Sequence, residues 1–238
     1  MPKNDRKAVI LLSGGVDSST ALALSLKNGY QVNPISFEYG QRHSRENESS
    51  RKIAEHYGLK LKEFSIDLRQ IGGSSLTSEA AVEDHSPDEI GSTIPNTYVP
   101  SRNIIFLSIA ASYAETIGAR TIIYGANSVD YSGYPDCRPS FVNYMERALQ
   151  EGTKIGTEEG MSVVAPLQYL SKGEIIRMGL KLGVPYKLTW SCYRGGEKAC
   201  GRCDSCILRL KGFMEAGSPD PIEYESLPEF YQTFLNNL

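Results

Sequence analysis

The sequence predicts an α/β protein built on a doubly wound, Rossmann-like parallel sheet with a small C-terminal appendage. Three observations support this fold class. Short apolar runs alternate with longer runs of helical length, which is typical of a parallel sheet covered by helices on both faces. A Gly-Gly turn joins the first strand to the first helix, where such folds bind anions. Four of the five cysteines lie close together near the C-terminus and interrupt the alternation.

The first part of the chain alternates strand and helix twice. Residues 7–12 form a continuous apolar run, as expected of a strand buried on both faces, and 18–28 predict a well-buried helix. A second strand is predicted over 31–37, followed by a charged, solvent-facing helix over 42–57. Alternating residues over 59–66 then predict a third strand.

The middle of the chain begins with a predicted long loop over 67–100, which is rich in Gly, Ser, Pro and acidic residues. A strongly apolar helix is predicted over 103–118 and a strand over 119–126. Residues 139–152 place apolar side chains on one helical face, and Ser140 is predicted to cap the N-terminus of that helix.

The last α/β unit comprises a short strand over 161–167 and a helix over 171–183. Ser171 and Glu174 have the spacing of a capping box, which predicts the start of that helix. A further helix is predicted near 204–216.

These predictions divide the chain into two parts. Residues 1–188 are predicted to form the nucleotide-binding α/β domain, and 189–238 the four-cysteine loop with a C-terminal helical segment. The aromatic stretch 229–235 fits either an interface between subunits or a packing helix.

The composition narrows the function classes. With 22% charged residues and a net charge of −3, the chain lacks a strongly basic composition, so we expect no direct nucleic-acid binding. No apolar run reaches the roughly 18–20 residues of a membrane span, and the N-terminus has no apolar signal core. We therefore expect a cytoplasmic protein that acts on small molecules.

The stretch VILLSGGVDSSTAL, residues 9–22, predicts a phosphate site. Its glycines let backbone N–H groups approach an anion, and the N-terminus of the following helix favours negative charge. A Walker loop would end in lysine and a dinucleotide loop would read G-x-G-x-x-G, but neither pattern is present. Asp17 can cap the helix or hold a metal ion. The predicted ATP-binding residues are Leu12, Ser13, Gly14, Gly15, Val16, Asp17, Ser18, Ser19 and Thr20.

Charged side chains elsewhere are predicted to complete the phosphate site. Lys172 begins a predicted helix after a strand, where it can reach phosphate or remain solvated. Arg102 and Asn103 can contact ATP phosphate or a substrate carboxylate, or can cap the helix that follows. Asp17, Lys172 and Arg102 are therefore the candidate catalytic residues.

The cysteine cluster has the spacing C-x7-C-x2-C-x2-C, from Cys192 through Cys200 and Cys203 to Cys206. Four thiolates on a short loop can form the closed tetrahedral shell of a structural zinc ion. A [4Fe–4S] cluster uses the same ligand type, and a redox-active dithiol is a third interpretation. The fifth cysteine, Cys137, fits either a nucleophile or a packing residue.

The S-G-G-x-D-S loop resembles the pyrophosphate loop (PP-loop) of ATP pyrophosphatases, which implies an adenine nucleotide alpha hydrolase-like fold and attack at the α-phosphate. Five further segments are distinctive: YGQRH (39–43), VPSRN (99–103), GANSVDYSGYPDCRPSF (125–141), APLQYLSKGEI (165–175) and TWSCY…CGRCDSC (189–206). Together with the loop, they are similar to the 7-cyano-7-deazaguanine synthase (QueC) family.

This resemblance implies a ligase that converts 7-carboxy-7-deazaguanine and ammonia into the nitrile preQ0, in queuosine or archaeosine biosynthesis. It implies ATP as a substrate with Mg²⁺, one structural zinc ion per subunit, and a homodimer.

The segment after the fourth predicted strand is expected to face the substrate, because ligands bind beyond the carboxyl ends of parallel strands. Asp130 or Asp136 can accept hydrogen bonds from the guanine-like N–H edge, and Tyr131 or Tyr134 can stack on the ring. Together with Asn103 these are the predicted substrate-binding residues. The alternative is a rigid turn in which the aspartates act as caps.

Two other functions share some of these features. A PP-loop tRNA thiolation enzyme would use the same loop and catalytic cysteines, and it would carry an RNA-binding face. A non-catalytic nucleotide sensor would bind ATP without releasing pyrophosphate.

Overall fold

A five-stranded parallel sheet lies at the centre of the computed structural model, which describes residues 6–85, 90, 93–128 and 134–238. The strands are β1 (Lys7–Leu11), β2 (Gln31–Glu38), β3 (Lys62–Ser65), β4 (Thr121–Ile123) and β5 (Ser162–Val164). They lie in the order β3-β2-β1-β4-β5, and each neighbouring pair is parallel. The predicted fold class is therefore confirmed.

Helices pack on both faces of this sheet. They are α1 (Val16–Lys27), α2 (Arg45–His56), α3 (Arg102–Ile117), α4 (Pro139–Gly152), α5 (Lys154–Glu159), α6 (Lys172–Lys181), α7 (Asp204–Ala216) and α8 (Glu229–Asn236). Because side chains alternate along a strand, β1 contributes to two hydrophobic cores. Val9 and Leu11 pack in the core that contains α3, and Ala8 and Ile10 pack in the core that contains α1 and α6.

Most predicted elements are confirmed, but several bounds differ. The third, fourth and fifth strands are shorter than the predicted runs. The third loses residues mainly at its N-terminal end, the fourth at both ends and the fifth mainly at its carboxyl end, because the residues there are apolar but lie outside the sheet. The predicted capping box is present: the Ser171 hydroxyl accepts from the Glu174 N–H, and the Glu174 carboxylate accepts from the Ser171 N–H.

One cap and one helix differ from the sequence prediction. Ser140 does not cap α4, because the helix begins at Pro139 and Arg138 takes the cap position. Proline is favoured at this first position, since its missing N–H would have no partner there. The short helix α5 was not predicted; the Thr153 hydroxyl caps it by accepting from the Gly156 N–H at 3.0 Å.

The C-terminal part packs on the sheet domain through α7. Leu210 and Phe213 of this helix are fully buried in the same core as Ile10. Arg209 on the same helix forms a buried ion pair with Asp220, with Nε and Oδ2 2.6 Å apart. The proposed division of the chain at residue 188 stays a prediction. In the described ranges, no helix is both long enough and apolar enough to cross a bilayer.

Candidate active site

The glycine loop connects the carboxyl end of β1 to the N-terminus of α1. Gly14 has φ of +84°, a conformation that L side chains rarely adopt. A Cβ atom at this position would lie 2.5 Å from the Glu46 carbonyl oxygen and 2.7 Å from the Ser50 nitrogen. The start of α2 therefore lies directly against the loop, and only glycine fits between them.

The loop hydroxyls divide into two groups. Ser13 and Ser18 line the adjoining cavity, and their Oγ atoms are 3.0 Å apart. Ser19 and Thr20 are fully buried; the Ser19 hydroxyl donates to the Gly15 carbonyl at 2.7 Å, and the Thr20 hydroxyl to the Val16 carbonyl at 2.8 Å. Of the predicted ATP-binding residues, Leu12, Ser13, Gly15, Val16, Asp17 and Ser18 line the cavity, whereas Gly14, Ser19 and Thr20 do not.

Asp17 and Lys172 meet at the mouth of the loop. The Lys172 Nζ atom lies 2.7 Å from Asp17 Oδ1 and 2.6 Å from Oδ2, although the two residues are 155 positions apart. Lys172 opens α6 and Asp17 lies in the first turn of α1. The fold thus brings a lysine to the loop from another helix, whereas a Walker loop contains its own lysine.

Arg102 lies on a different wall of the cavity, at the start of α3. Its Nη1 donates to the Tyr39 hydroxyl at 3.3 Å, and its guanidinium lies 5.7 Å from the centre of the Tyr39 ring. Burial alone would lower the pKa of Arg102, but nearby groups that carry or acquire negative charge raise it overall. These groups are Tyr39, Tyr134, Glu46 and Asp136.

Asn103 and Asp136 are adjacent, as expected for residues that share a site. The Asn103 N–H donates to Asp136 Oδ2 at 3.3 Å, so Asp136 also stabilises the first turn of α3. Burial raises the pKa of Asp136, and the nearby Arg102 lowers it in part. The Tyr134 hydroxyl lies 2.9 Å from Thr97 Oγ1 and lines the same cavity. The predicted substrate residues Asp130 and Tyr131 lie outside the described residues.

Cys137 follows Asp136 and also lines the cavity. Burial raises the pKa of its thiol to about 12, and the charge of Asp136 adds to this effect. A nucleophilic cysteine needs the thiolate form, which such surroundings disfavour. The geometry therefore supports a packing role for Cys137.

Glu46 is a cavity residue that the sequence analysis missed. It is half-buried in the first turn of α2, and its carboxylate has no hydrogen bond or ion pair among the described residues. Burial raises its pKa to about 7, and the nearby Arg102 lowers it in part. His43, three residues earlier, instead packs on Gly195 and does not line the cavity. Only the YGQRH segment just before Glu46 hinted at a site here.

Two buried hydroxyls in the cavity wall lack a hydrogen-bond partner in the part of the chain that the structure describes. Ser36 on β2 is 3% exposed, and Tyr124 directly after β4 is 4% exposed. Neither hydroxyl oxygen has a hydrogen-bond partner among the described residues. Such groups are uncommon, because burying a polar group without a partner is unfavourable.

These walls enclose a cavity of about 300 Å³ between the loop, the carboxyl ends of the strands and the start of α3. Its last wall comes from residues 189–206, called here the cysteine segment. The residues of this segment that line the cavity are Trp190, Ser191, Tyr193 and Ser205. The Trp190 N–H donates to the Gly14 carbonyl at 2.9 Å, so this segment is tied directly to the glycine loop.

The four cysteines next to this wall are buried, and their Sγ atoms all lie within 4.8 Å of one another. Two of them, Cys200 and Cys206, have Sγ atoms 3.9 Å apart. A tetrahedral ion with metal–sulfur bonds of about 2.3 Å requires sulfur–sulfur separations of about 3.8 Å. Backbone N–H groups also donate to sulfur, including Cys200 N to Cys192 Sγ at 3.3 Å. The four residues therefore fit one metal ion.

The long loop contacts the cysteine segment through residues 82–85. Asp84 accepts from Arg194 Nη2 at 2.6 and 2.7 Å. His85 Nδ1 lies 2.8 Å from Asp204 Oδ2, and the His85 N–H donates to Asp204 Oδ1 at 3.1 Å. Since Asp204 follows a predicted metal ligand, the metal loop and the long loop hold each other in place.

The arrangement as a whole can bind a polyphosphate beside a planar polar ring. The loop N–H groups and Lys172 provide positive charge at one end of the cavity, and Arg102 provides it at another. Glu46 and Asp136 supply carboxyl groups between aromatic side chains. This combination fits the activation of a small heterocyclic acid by ATP.

Comparisons with known proteins agree with this chemistry. The profile of the QueC family, described as a queuosine biosynthesis protein, matches residues 7–217. The chain is 62% identical over 230 residues to the 7-cyano-7-deazaguanine synthase of Thermoplasma acidophilum, covering 97% of each chain. It is also 62% identical to the enzyme of that name from Picrophilus torridus, over 97% of each chain. Identity to the Thermoplasma volcanium enzyme is 57%, over 100% of this chain and 98% of the relative.

Proposed function

Because the chain belongs to the QueC family of queuosine biosynthesis proteins, we infer that it makes 7-cyano-7-deazaguanine. It is a ligase that consumes ATP and joins ammonia to the carboxyl carbon of 7-carboxy-7-deazaguanine. One observation in the structure carries this function: a single cavity joins an anion-binding loop to a wall of aromatic and carboxyl side chains. The relatives of the same name support the same conclusion.

The chemistry explains why both ends of the cavity are needed. A carboxylate is a poor electrophile, so its oxygen first attacks the α-phosphate of ATP and pyrophosphate leaves. Ammonia then attacks the acyl carbon, AMP leaves, and an amide forms. A second activation of the amide oxygen allows loss of that oxygen and of the nitrogen-bound protons, which yields the nitrile. Both activations need phosphate charge held in a fixed geometry.

We propose that the loop and the Asp17–Lys172 pair bind the polyphosphate. The loop N–H groups and the Ser13 and Ser18 hydroxyls can donate to phosphate oxygens. The Lys172 ammonium group, which contacts Asp17 in the structure, can instead contact the leaving pyrophosphate. Asp17 is then free to contact Mg²⁺ bound with ATP, since carboxylate oxygens suit that ion. Gly14, Ser19 and Thr20 support the loop from behind.

We propose that Arg102 binds the substrate carboxylate, because a half-buried guanidinium in the cavity wall can hold a carboxylate in two parallel hydrogen bonds. Asn103 and Asp136 lie beside it, where Asp136 can accept from the N–H edge of the deazaguanine ring. Tyr134 can stack on the ring, and Asp130 and Tyr131 remain predicted contacts from the adjoining segment.

Glu46 is suited to handle ammonia. Its carboxylate is unpaired among the described residues and its pKa is raised to about 7. A carboxylate with this pKa can accept a proton from ammonium near neutral pH and leave ammonia to attack the acyl carbon.

We propose that the four cysteines bind one zinc ion that stabilises the cavity wall. The sulfur separations favour a single ion over a four-iron cluster, in which the ligand sulfurs surround several metal atoms and lie farther apart. Zinc here would supply no reactive chemistry, because four protein ligands leave no open position.

We also propose that the enzyme is a cytoplasmic homodimer that acts on free small molecules and does not bind tRNA. The net charge of −3 supports the absence of an RNA-binding surface.

The test is an assay with ATP, Mg²⁺, ammonium and 7-carboxy-7-deazaguanine, with the product identified by mass. We expect the nitrile, and we expect pyrophosphate release that depends on the deazaguanine. Asp17→Asn should lose turnover while its thermal unfolding stays close to that of the parent. Pyrophosphate release without the deazaguanine, or tight and salt-sensitive tRNA binding, would instead support one of the rival functions.

A further inference from the structure

We propose that Tyr124 determines specificity for the deazaguanine, by donating its phenol proton to the ring carbonyl oxygen of that substrate. The proposal rests on the proposed function and assigns a role to a residue that the sequence analysis did not identify. It also explains why the protein retains a buried hydroxyl that has no partner of its own.

The Tyr124 side chain is 4% exposed and lines the cavity directly after β4. Its hydroxyl oxygen is shielded from water and has no hydrogen-bond partner among the described residues. An unpaired hydroxyl in such a place opposes folding, because the water bonds it loses are not replaced. A ligand that accepts from the hydroxyl would replace them.

The backbone beside Tyr124 is closely packed. The next residue, Gly125, is pressed against α1, because a Cβ atom there would lie only 2.8 Å from the Ser18 nitrogen. Burial raises the pKa of the Tyr124 phenol, and the neighbouring Cys137 and Asp136 raise it further. The phenol therefore stays protonated, and Tyr124 lines the same cavity as Asp136.

This pair of groups matches the edge of a guanine-type ring. That edge presents a carbonyl acceptor followed by two N–H donors, so it needs one protein donor beside a carboxylate. Tyr124 is such a donor, and each oxygen of Asp136 keeps a lone pair after accepting from Asn103. Adenine would instead place its N1 lone pair against a carboxylate oxygen, which is unfavourable. Because the hydroxyl is shielded without ligand, contact requires a side-chain adjustment, and rotamer changes are common on ligand binding.

Tyr57 offers a matched control. Its hydroxyl is also buried without a partner among the described residues, but Tyr57 does not line the cavity. Tyr124→Phe and Tyr57→Phe each remove one unpaired hydroxyl, so both variants should unfold at or above the parent temperature without ligand. Only Tyr124→Phe should raise KM for the deazaguanine, by roughly tenfold, with KM for ATP unchanged.

A second arm uses the analogue that lacks the ring carbonyl, 2-amino-7-carboxy-7-deazapurine. The parent should prefer the natural substrate, and Tyr124→Phe should lose about tenfold of that preference because the hydroxyl that distinguishes the two is gone. Equal discrimination by the two proteins, or an unchanged KM in Tyr124→Phe, would overturn the proposal.

Calorimetric binding of 7-carboxy-7-deazaguanine without ATP separates this proposal from the proposed function. If the parent binds the compound more tightly than Tyr124→Phe but makes no nitrile, the proposed function fails and the contact stands. If the parent makes the nitrile and the two proteins bind equally, the contact fails alone. If the parent neither binds nor converts the compound, both are wrong.

Discussion

Glu46 shows at the scale of one residue how burial changes chemistry. Its carboxyl group lines the cavity near Arg102 with a pKa of about 7, well above that of an exposed glutamate. A raised carboxyl pKa favours the folded state most fully at low pH. That contribution is lost as the pH rises through about 7, because the buried group then becomes charged. Retaining such a group suggests that its protonation serves the reaction.

We predict that Glu46→Gln flattens the pH dependence of amide formation. With the ammonium concentration held constant, the parent rate should rise as the pH increases through about 7, since the basic carboxylate form that accepts the proton from ammonium grows. The variant should lose about 10²-fold in rate at pH 8, a typical contribution of a general base, while pyrophosphate release on adenylation continues. Glu55→Gln, on the exposed face of the same helix, is the control. A parallel loss of adenylation would assign Glu46 to substrate binding.

The site residues that sequence could reveal are those that lie in recognisable segments. Asp17, Arg102 and Lys172 are predicted from their position beside a predicted strand or helix start, and the structure places all three at the cavity, while their roles stay predictions. The Asp17–Lys172 contact was not predictable as a pair, because it depends on how α6 packs on α1. Glu46 and Tyr124 are not predictable from the sequence. Only their burial and the lack of a hydrogen-bond partner among the described residues distinguish them from other glutamates and tyrosines.

At the scale of elements, the glycine loop depends on close packing against α2. We predict that Gly14→Ala abolishes ATP binding and destabilises the protein, since the new methyl group would collide with the Glu46 carbonyl and the Ser50 nitrogen. Gly58→Ala is the control, because Gly58 also has positive φ but has nothing within 4 Å of the added atom. Gly58→Ala should lower the free energy of unfolding by about 1 kcal/mol, which is the backbone strain alone. Calorimetric ATP titration and urea unfolding check both variants; equal effects would exclude the packing explanation.

The cysteine segment is the second element that shapes the cavity. We predict that Cys203→Ser loses the bound metal and lowers the unfolding temperature by at least 10 °C, because metal binding in such a site contributes to folding. Cys137→Ser should retain the metal, since Cys137 lies outside the four-cysteine group. Elemental analysis and thermal unfolding under reducing conditions provide the measurements. A metal-free Cys203→Ser protein with parent stability would contradict a structural role.

Predictions of elements succeeded where local pattern and packing agree. The capping box at Ser171 is visible in four residues, and β1 is apolar on both faces because both faces are covered. The start of α4 was misjudged because Pro139 and Ser140 are both good starting residues, and only tertiary structure selects one. The predicted ends of β4 and β5 lie too far along the chain, because the residues that follow each strand are apolar but belong to loops.

At the scale of the whole molecule, Arg209 and Asp220 join α7 to the segment that follows it. Their side chains are 2% and 0% exposed, and Arg209 also donates to Thr189 Oγ1 at 2.8 Å. We predict that Arg209→Met lowers the free energy of unfolding by about 3–5 kcal/mol, because Asp220 is left buried without a cation. Urea unfolding of the metal-loaded protein measures this loss.

The exposed pair Arg51–Glu63 provides the comparison, with side chains 54% and 42% exposed. Arg51→Met should change the unfolding free energy by less than about 1 kcal/mol. Similar losses in both variants would show that burial of the charge is not what makes the Arg209 pair important.

The sequence predicts the class of sheet but does not predict the order of its strands. Repeated strand–helix alternation indicates a parallel sheet, whereas the central place of β1 between β2 and β4 follows from long-range packing. The contribution of the cysteine segment to the cavity was equally hidden, because that segment lies far from the glycine loop in sequence and meets it only in the folded chain.

The bond from Trp190 to the glycine loop has a consequence for how the enzyme emerges from the ribosome. Residues 9–15 are made early, but the wall that completes their cavity follows after all five described strands. A nascent chain can therefore pair β1 with β2 while the cavity is still open on one side. The cavity is therefore completed late in translation, when the four cysteines also become available, so premature termination within the cysteine segment leaves all five described strands without the wall that completes the site.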